Sequence, residues 1–342
     1  MRALVTGGAG YIGSHAALRL LDEGHDVTVV DNLVRGHRGA IEVLQGVGGT
    51  RFTFVEADLA HTEALARAME LGRIDTVLHF AALTYVGESV DKPLDYFTAN
   101  TAGGISLLRA MQQARVRRIV FSSTCATYGE PPQEEIPLRE TLAQRPINPY
   151  GASKLLFERV LRDTCAAPAA EGAPPLAAVA LRYFNVAGCD ARGRLGEDHR
   201  PETHLIPIAL EVALGKRGQL SVFGTDYATR DGTCIRDYVH IDDLIDAHLA
   251  ALPALAHGAF RAWNVGIGRG YSVREVIESC RRVTGHAIPT VDAPRRAGDP
   301  PMLYADPTAI ARDLGWRAQR TDLDETVRSA WRWMQAHPRG YA

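Results

Sequence analysis

An apolar run at residues 2–6 (RALVT) passes directly into G-G-A-G-Y-I-G at residues 7–13. Gly8, Gly10 and Gly13 satisfy G-x-G-x-x-G, and Gly7, Gly10 and Gly13 satisfy the looser G-x-x-G-x-x-G. Ile12, Ala16, Leu20 and Glu23 then recur at helical spacing over residues 11–23. Residues without a Cβ let a backbone turn tightly and approach a pyrophosphate, and the helix that follows offers its first N–H groups to the phosphates. The order strand, glycine turn, helix therefore predicts the opening of a dinucleotide-binding domain, with Gly7, Gly10, Tyr11, Ile12 and Gly13 as its phosphate cradle.

The rest of the first half agrees with that opening. Short apolar runs at Val27–Val30, Phe52–Val55, Thr76–Phe80, Arg118–Ser122 and Ala177–Leu181 are separated by helical stretches around Glu63–Glu70, Ala102–Gln113 and Lys154–Asp163. Buried strands alternating with helices predict an α/β fold with a doubly wound parallel sheet (Rossmann), whose ligands bind at the C-terminal strand edge. After about Leu181 the regularity fades into Gly- and Pro-bearing loops, which predicts a second, smaller substrate-binding domain. The expected division is 1–182 and 183–342, with a segment near 233–266 returning to the first domain. Residues 166–178 (AAPAAEGAPPLAA) read as a surface loop between a helix and a strand.

Asp31 ends the second run, about twenty residues past the glycines, where a carboxylate binds the adenosine ribose and repels a 2′-phosphate. This favours NAD over NADP, although Arg35 and Arg38 lie nearby. Asn32 follows Asp31. Asp58 and Leu59 follow the third run; Asp58 reads as an adenine contact or as an N-cap for a helix starting at Thr62–Glu63. Phe80, Ala81 and Ala82 end the fourth run with small residues suited to lie against a cofactor.

Tyr150 and Lys154 stand four apart at the start of a predicted helix and so share a face. A tyrosine is a poor base at its ordinary pKa near 10. A lysine ammonium held close favours the phenolate, which can then take a proton from an alcohol as hydride departs. Ser122, Ser123 and Thr124 end a strand just upstream and supply a hydroxyl for a Ser/Thr-Tyr-Lys triad.

These motifs resemble the extended short-chain dehydrogenase/reductase family, and within it the nucleotide-sugar 4-epimerases. The resemblance rests on LVTGGAGYIGSH, DNL, HFAAL, VGESV, KPLDY, NPYGASK, LRYFNVAG, IRDYVH, WNVG and APRRAGD, which run from residue 4 to about residue 306. It implies a tightly bound NAD that oxidises the sugar C4 alcohol to a transient 4-ketose and re-reduces it on the other face, interconverting UDP-galactose and UDP-glucose. It also implies Tyr150 as base, Lys154 as its partner and a cofactor ligand, and Thr124 as a contact to the sugar O4. Phe184 is implied beside the nicotinamide, and Asn185, Leu205 and Phe223 as contacts to the UDP-sugar. Arg236 and Arg296 are implied on the diphosphate, a task suited to the planar guanidinium fork. Asp299 is implied on the uridine ribose and Leu303 at the sugar pocket. Relatives of this kind are commonly homodimers.

Three positions depart from the pattern. Thr84 stands where some members have Lys, Ala99 replaces an Asn although Asn100 follows, and Leu303 is intermediate between the bulky and small residues that exclude or admit N-acetylated sugars. A sugar-nucleotide 4,6-dehydratase would carry an Asp-Glu pair after the strand-end hydroxyl, where this chain has Thr124-Cys125-Ala126. UDP-N-acetylglucosamine and UDP-pentose 4-epimerases, and a UDP-sugar decarboxylase, differ in fewer residues. A non-catalytic dinucleotide sensor should have lost Tyr150 or Lys154.

Composition sets the remaining bounds. The 342 residues carry a formal net charge of −2 and no block of like charge, which argues against a nucleic-acid partner. Cys125, Cys165, Cys189, Cys234 and Cys280 form no C-x-x-C pair and read as reduced thiols of a cytoplasmic protein. His199 and His204 flank Glu202 without H-E-x-x-H spacing, so no metal is expected. The first strand begins almost at Met1, leaving no room for a signal peptide, and no apolar run approaches a membrane span.

Overall fold

The computed structural model describes residues 1–169, 174–296 and 299–341. The chain divides into two compact units, one of Met1–Tyr128, Gln144–Arg182 and Ile245–Trp263, the other of Gly129–Ala143, Tyr183–Leu244 and Asn264–Ala342. No helix among the described residues is long and apolar enough to cross a membrane.

The first unit alternates strand and helix: β1 (Arg2–Thr6), α1 (Tyr11–Asp22), β2 (Asp26–Asp31), α2 (Arg38–Gly48), β3 (Phe52–Glu56), α3 (Thr62–Leu71) and β4 (Thr76–His79). Two short helices, α4 (Val86–Asp91) and α5 (Pro93–Tyr96), lead through a wide π-helical segment, Phe97–Ala102, into α6 (Gly103–Gln113). Then come β5 (Arg118–Thr124), α7 (Pro149–Ala166) and β6 (Ala177–Tyr183). With β10 (Phe260–Val265) these strands form a seven-stranded sheet in the order β10-β6-β5-β4-β1-β2-β3. The pairs β2–β3, β1–β2, β1–β4 and β4–β5 are parallel. The doubly wound sheet read from the sequence is present, and its strand order reverses at β1/β4, directly beside the glycine turn.

Burial explains why these runs become central strands. Leu4, Val77, Ile119 and Phe121 join Leu65, Met69, Leu107 and Phe157 from α3, α6 and α7 in one buried cluster. Strands covered on both faces read as continuous apolar runs, as β1, β4 and β5 do. Several expected ends shift by a residue or two: β2 spans Asp26–Asp31, β3 runs to Glu56, β4 stops at His79, β5 runs to Thr124, β6 to Tyr183, and the helix expected to open at Tyr150 begins at Pro149. Asn148 caps that helix by accepting the Gly151 N–H at 2.8 Å, and Pro149 occupies its first turn. Cap chemistry sets the start of the helix there. Of the predicted loop at 166–178, Ala166 ends α7, 177–178 belong to β6, and 170–173 lie outside the described residues.

In the second unit β7 (Asn185–Ala187) pairs in parallel with β9 (Ile235–His240), which is joined by β11 (Gly270–Ser272) and β13 (Met302–Leu303). Between β7 and β9 lie α8 (Leu205–Ala213) and β8 (Leu220–Phe223); α9 (Ile241–Ala251) follows β9. α10 (Val273–Thr284), β12 (Thr290–Ala293), α11 (Thr308–Leu314) and α12 (Leu323–Ala336) complete the chain, with β12 beside β8. Ile206, Leu210, Val276, Ile277, Val327 and Trp331 are among the side chains that close the core of this unit.

Candidate active site

The glycine turn is dictated by close packing. Gly7 takes φ +70°, a conformation that disfavours any Cβ, and a Cβ there would stand 2.5 Å from the Ala81 nitrogen. A Cβ on Gly13 would collide with the Gly7 carbonyl, and one on Gly8 would lie 2.7 Å from Val29. Gly10 differs, because its nearest neighbour, the Gly7 oxygen, is 3.4 Å away. The protein itself leaves room at Gly10, on the residue that precedes α1. No side chain caps α1, so its first turn is open to an anion, with Tyr11, Ile12 and Gly13 supplying the backbone.

Asp31, at the end of β2, accepts the Ala9 N–H at 3.0 Å and the Leu33 N–H at 2.8 Å, which ties it to the glycine turn. Burial raises its pKa, against the two backbone hydrogen bonds. Asn32 donates to Asp58 at 2.6 Å, and Asp58 also accepts the Ala60 N–H at 2.8 Å. That backbone bond, more than Asn32, draws the Asp58 pKa down. Asp58 is not the N-cap of α3, which His61 precedes without a side-chain cap; it holds Asn32 instead. Arg35 is paired with Glu88 at 2.8 Å and lies over Tyr85, and Arg38 is paired with Glu56. Both arginines that weakened the NAD preference are thus engaged by carboxylates.

Leu59 packs under Gly103 and against the buried cluster. Phe80, Ala81 and Ala82 leave β4 beside Gly7, and Asn100 fixes the chain that follows them. Its amide accepts the Leu83 N–H at 2.8 Å and donates to the Leu83 carbonyl and to Ser153 Oγ, both at 3.0 Å. Asn100 is 2% exposed and sits in the π-helical segment, a widened turn of the sort that recurs at functional sites. Ala99 precedes it, and Thr84 is exposed.

Thr124 is buried at the end of β5, its hydroxyl accepting the Ala126 N–H at 3.2 Å. α7 begins against the turn that follows, for a Cβ on Gly151 would stand 2.5 Å from the Ala126 carbonyl oxygen. This approach brings Tyr150 to the end of β5. The Tyr150 ring meets Tyr96 edge-on at 6.4 Å. One turn on, Lys154 is 3% exposed, and its Nζ donates to the Ser122 carbonyl at 2.9 Å and lies 4.9 Å from the Phe121 ring. Burial pushes Lys154 down to about 7. Burial, then the Lys154 charge, pushes neighbouring His79 down to about 3, so its imidazole is neutral.

The next turn of α7 carries a group that the sequence reading missed. Glu158, fully buried, accepts from Ser123 Oγ at 2.5 Å and pairs with Arg182 at 2.6 Å. Arg182 also donates to Tyr128 Oη at 3.0 Å and to Gln144 at 3.1 Å. Of the three strand-end hydroxyls, Ser123 is therefore committed to this network. An arginine inside the apolar run of β6, and a glutamate four residues past Lys154, were its only sequence signals.

In the second unit the predicted substrate residues fall into two groups. Arg236 on β9 pairs with Asp299, donates to the Ile235 carbonyl at 2.8 Å, and stands in register with Leu303 of β13. Burial lowers the Arg236 pKa, but Asp299 outweighs it and the net shift is upward. Leu303 is buried. Asp299 also donates its N–H to the Arg296 carbonyl at 3.3 Å. Arg296, itself exposed, places its guanidinium 4.6 Å from the centre of the half-exposed Phe223 ring. Asn185 pairs in register with Tyr238 of β9, buried Phe184 precedes it, and Leu205 opens α8.

Residues 3–266 match the NAD dependent epimerase/dehydratase family. The chain belongs to this family. It is 48% identical over 343 residues to the UDP-glucose 4-epimerase of Halalkalibacterium halodurans, covering 100% of this chain and 98% of that one. It is 46% identical to a probable UDP-arabinose 4-epimerase 3 of Oryza sativa subsp. japonica, covering 99% of this chain and 83% of the plant chain. A crystal structure of UDP-glucose-4-epimerase from Stenotrophomonas maltophila with bound NAD and formylated UDP-arabinopyranose aligns with a TM-score of 0.93, at 41% identity and 99% coverage of both chains. Membership in an NAD-dependent family accords with the cradle at Gly7–Gly13 and the carboxylate at Asp31.

Proposed function

We propose that this chain acts as a UDP-glucose 4-epimerase, an isomerase that interconverts UDP-galactose and UDP-glucose with NAD held throughout. The observation that carries the mechanism is Lys154. It is a buried ammonium with no carboxylate paired to it among the described residues, one helical turn from Tyr150. A cation so poorly solvated gains from an anion beside it, and the reciprocal effect favours the Tyr150 phenolate. Tyr150 Oη then takes the proton of the sugar O4 and later returns it, while the Thr124 hydroxyl orients that oxygen. NAD supplies the site where the C4 hydride is kept between oxidation and reduction. The residues that would hold it are Gly7, Gly10, Tyr11, Ile12 and Gly13 on the pyrophosphate, Asp31, Asn32, Asp58 and Leu59 on the adenosine, and Phe80, Ala81, Ala82, Lys154 and Phe184 on the nicotinamide half. The room at Gly10 and the uncapped α1 fit a diphosphate.

The first unit is read as the NAD-binding part and the second as the UDP-sugar part. There Arg236 and Arg296 would bind the diphosphate, Asp299 and Phe223 the uridine, and Asn185, Leu205 and Leu303 the remainder of the substrate. Binding would exchange the Arg236–Asp299 pair for contacts to the ligand. The enzyme is read as a cytoplasmic homodimer. Val86, Val90 and Leu94 on α4 and α5, and Leu156 on α7, are exposed apolar side chains on helices that pack together, which supports an interface there. Likeness to UDP-arabinose 4-epimerases favours testing pentoses as a second substrate class.

Purified protein given UDP-galactose should form UDP-glucose without added NAD and without net reduction of NAD. Release of a 4-keto-6-deoxy sugar nucleotide, or no turnover with any UDP-hexose, would overturn the reading. UDP-arabinose and UDP-N-acetylgalactosamine in the same assay define the width of the sugar pocket at Leu303.

A further inference from the structure

The loop between β7 and α8 brings Glu197 to His199, Glu202 and His204, the three residues for which no metal was expected. Glu197, His199, Glu202 and His204 each offer one ligand atom, and these atoms all lie within 4.8 Å of one another. His204 Nδ1 is 2.8 Å from Glu197 Oε1 and 3.1 Å from Glu202 Oε1. His199 Nδ1 is 3.2 Å from the same Glu197 oxygen and 3.7 Å from Glu202 Oε2. Ligands held about 2.0–2.1 Å from a tetrahedral centre stand about 3.3 Å apart, and the imidazole–carboxylate separations here, 2.8–3.7 Å, bracket that value. The spacing in sequence hides this, because the residues come from a folded loop and not from one helical face.

Two further observations point to a ligand. His204 Nδ1 is buried, and despite two carboxylate oxygens in range it makes no aligned hydrogen bond to either. Beside the cluster is a cavity of about 40 Å³ lined by Glu197, His199, Glu202, Glu211, Lys216 and Trp333. A water needs roughly 10–15 Å³ measured in this way, so an ion and a water fit.

The cluster is also held in place before any ion arrives. Glu202 Oε1 accepts the Thr203 and His204 N–H groups at 2.7 and 2.8 Å, which orients its carboxylate. Tyr341 clamps the loop from the C-terminal end, its hydroxyl bonding to Gly196 and its N–H to Asp198 at 3.1 Å. Gly196 has no room for a Cβ against Trp333.

We propose that Glu197, His199, Glu202 and His204 form a binding site for one divalent transition-metal cation of the zinc class, fixing the loop that leads into Leu205 and α8. Two imidazole nitrogens and two carboxylate oxygens suit such an ion better than calcium or magnesium, which take oxygen ligands. The role is structural, and it stands independently of the epimerase reading.

Chelator-treated full-length protein, returned to ZnCl2 and gel-filtered, should retain one zinc per chain by elemental analysis. CoCl2 in its place should give the intense visible absorption of four-coordinate cobalt. His204→Gln and Glu197→Gln, each with native circular dichroism, should weaken zinc binding more than the roughly 10–100-fold that losing an outer-sphere partner costs. Zinc binding that is absent in the wild type, or equally tight in both variants, would overturn the site and leave only a charge-compensated network of side chains.

Discussion

Lys154→Met separates what this lysine costs the fold from what it gives to catalysis. The side chain is 3% exposed, and burial alone brings its pKa from 10.5 to about 7. Below about pH 7 the native and unfolded chains both hold the proton; between about 7 and 10.5 only the unfolded chain does. The unfolded state then binds more protons, so this residue makes stability rise with pH across that window. At about 1.4 kcal/mol per pKa unit, the charged form costs the native state on the order of 5 kcal/mol at low pH. Methionine keeps most of the stem and removes the charge, but it strips the Ser122 carbonyl of the donor it has at 2.9 Å. An unsatisfied buried acceptor costs about 1–3 kcal/mol.

The desolvation cost is the larger at low pH and has largely gone at high pH. Nucleotide-free Lys154→Met should therefore be more stable than wild type at pH 6, by on the order of 2–4 kcal/mol. It should be less stable at pH 10, with a crossing between the two. Urea-unfolding midpoints of both proteins at pH 6, 8 and 10 test this, alongside turnover, which should collapse in the variant at every pH. A variant less stable than wild type at pH 6, or a difference that does not change with pH, would refute the argument that the fold pays to keep an ammonium beside Tyr150.

Tyr150→Phe should lower turnover by about 10²–10⁴-fold, the usual worth of a positioned acid–base group, with NAD content unchanged on a spectrum of the purified protein; loss of the nucleotide would make Tyr150 a binding residue instead. Glu158→Gln leaves the Arg182 charge buried and should cost about 3–5 kcal/mol. Joining it to Arg182→Met should recover much of that loss in thermal melts, and an unchanged melting midpoint for the single variant would count against the network. Gly10→Ala should keep the wild-type unfolding midpoint, since its Cβ meets only the Gly7 oxygen at 3.4 Å, while weakening NAD at least about tenfold because that Cβ enters the phosphate cradle. Equal NAD retention in the two proteins would remove Gly10 from the cradle.

Much of the active-site half of this chain is legible in one dimension because its signals are local. The turn at Gly7–Gly13 must follow a strand and precede a helix, and the five apolar runs after it are long enough to read as buried strands. Tyr150 and Lys154 share a face for the simple reason that they are four residues apart on a helix. Cap chemistry was less visible: Asn148 and Pro149, which the sequence reading did not single out, fix the start of α7 just before Tyr150. Asp58 shows the limit of single-residue reasoning. Its type and position suit an N-cap, but its carboxylate is taken by Ala60 and Asn32.

The sequence by itself determined the alternation that builds the doubly wound sheet, the glycine turn at its switch point, and the residue types of a proton- and hydride-transferring site, since each depends on neighbours within one or two turns of chain. Tertiary structure alone decided what those groups are worth. Burial turns Lys154 into an ammonium near its point of deprotonation, and Glu158 commits Ser123 and Arg182 to holding β5, α7 and β6 together. Asn100 ties the chain after β4 to α7, and Arg236 meets Asp299 across 63 positions. The Glu197–His204 loop closes two histidines onto two carboxylates. Desolvation and long-range pairing depend on which surfaces the fold removes from water, and no local pattern of residues encodes that.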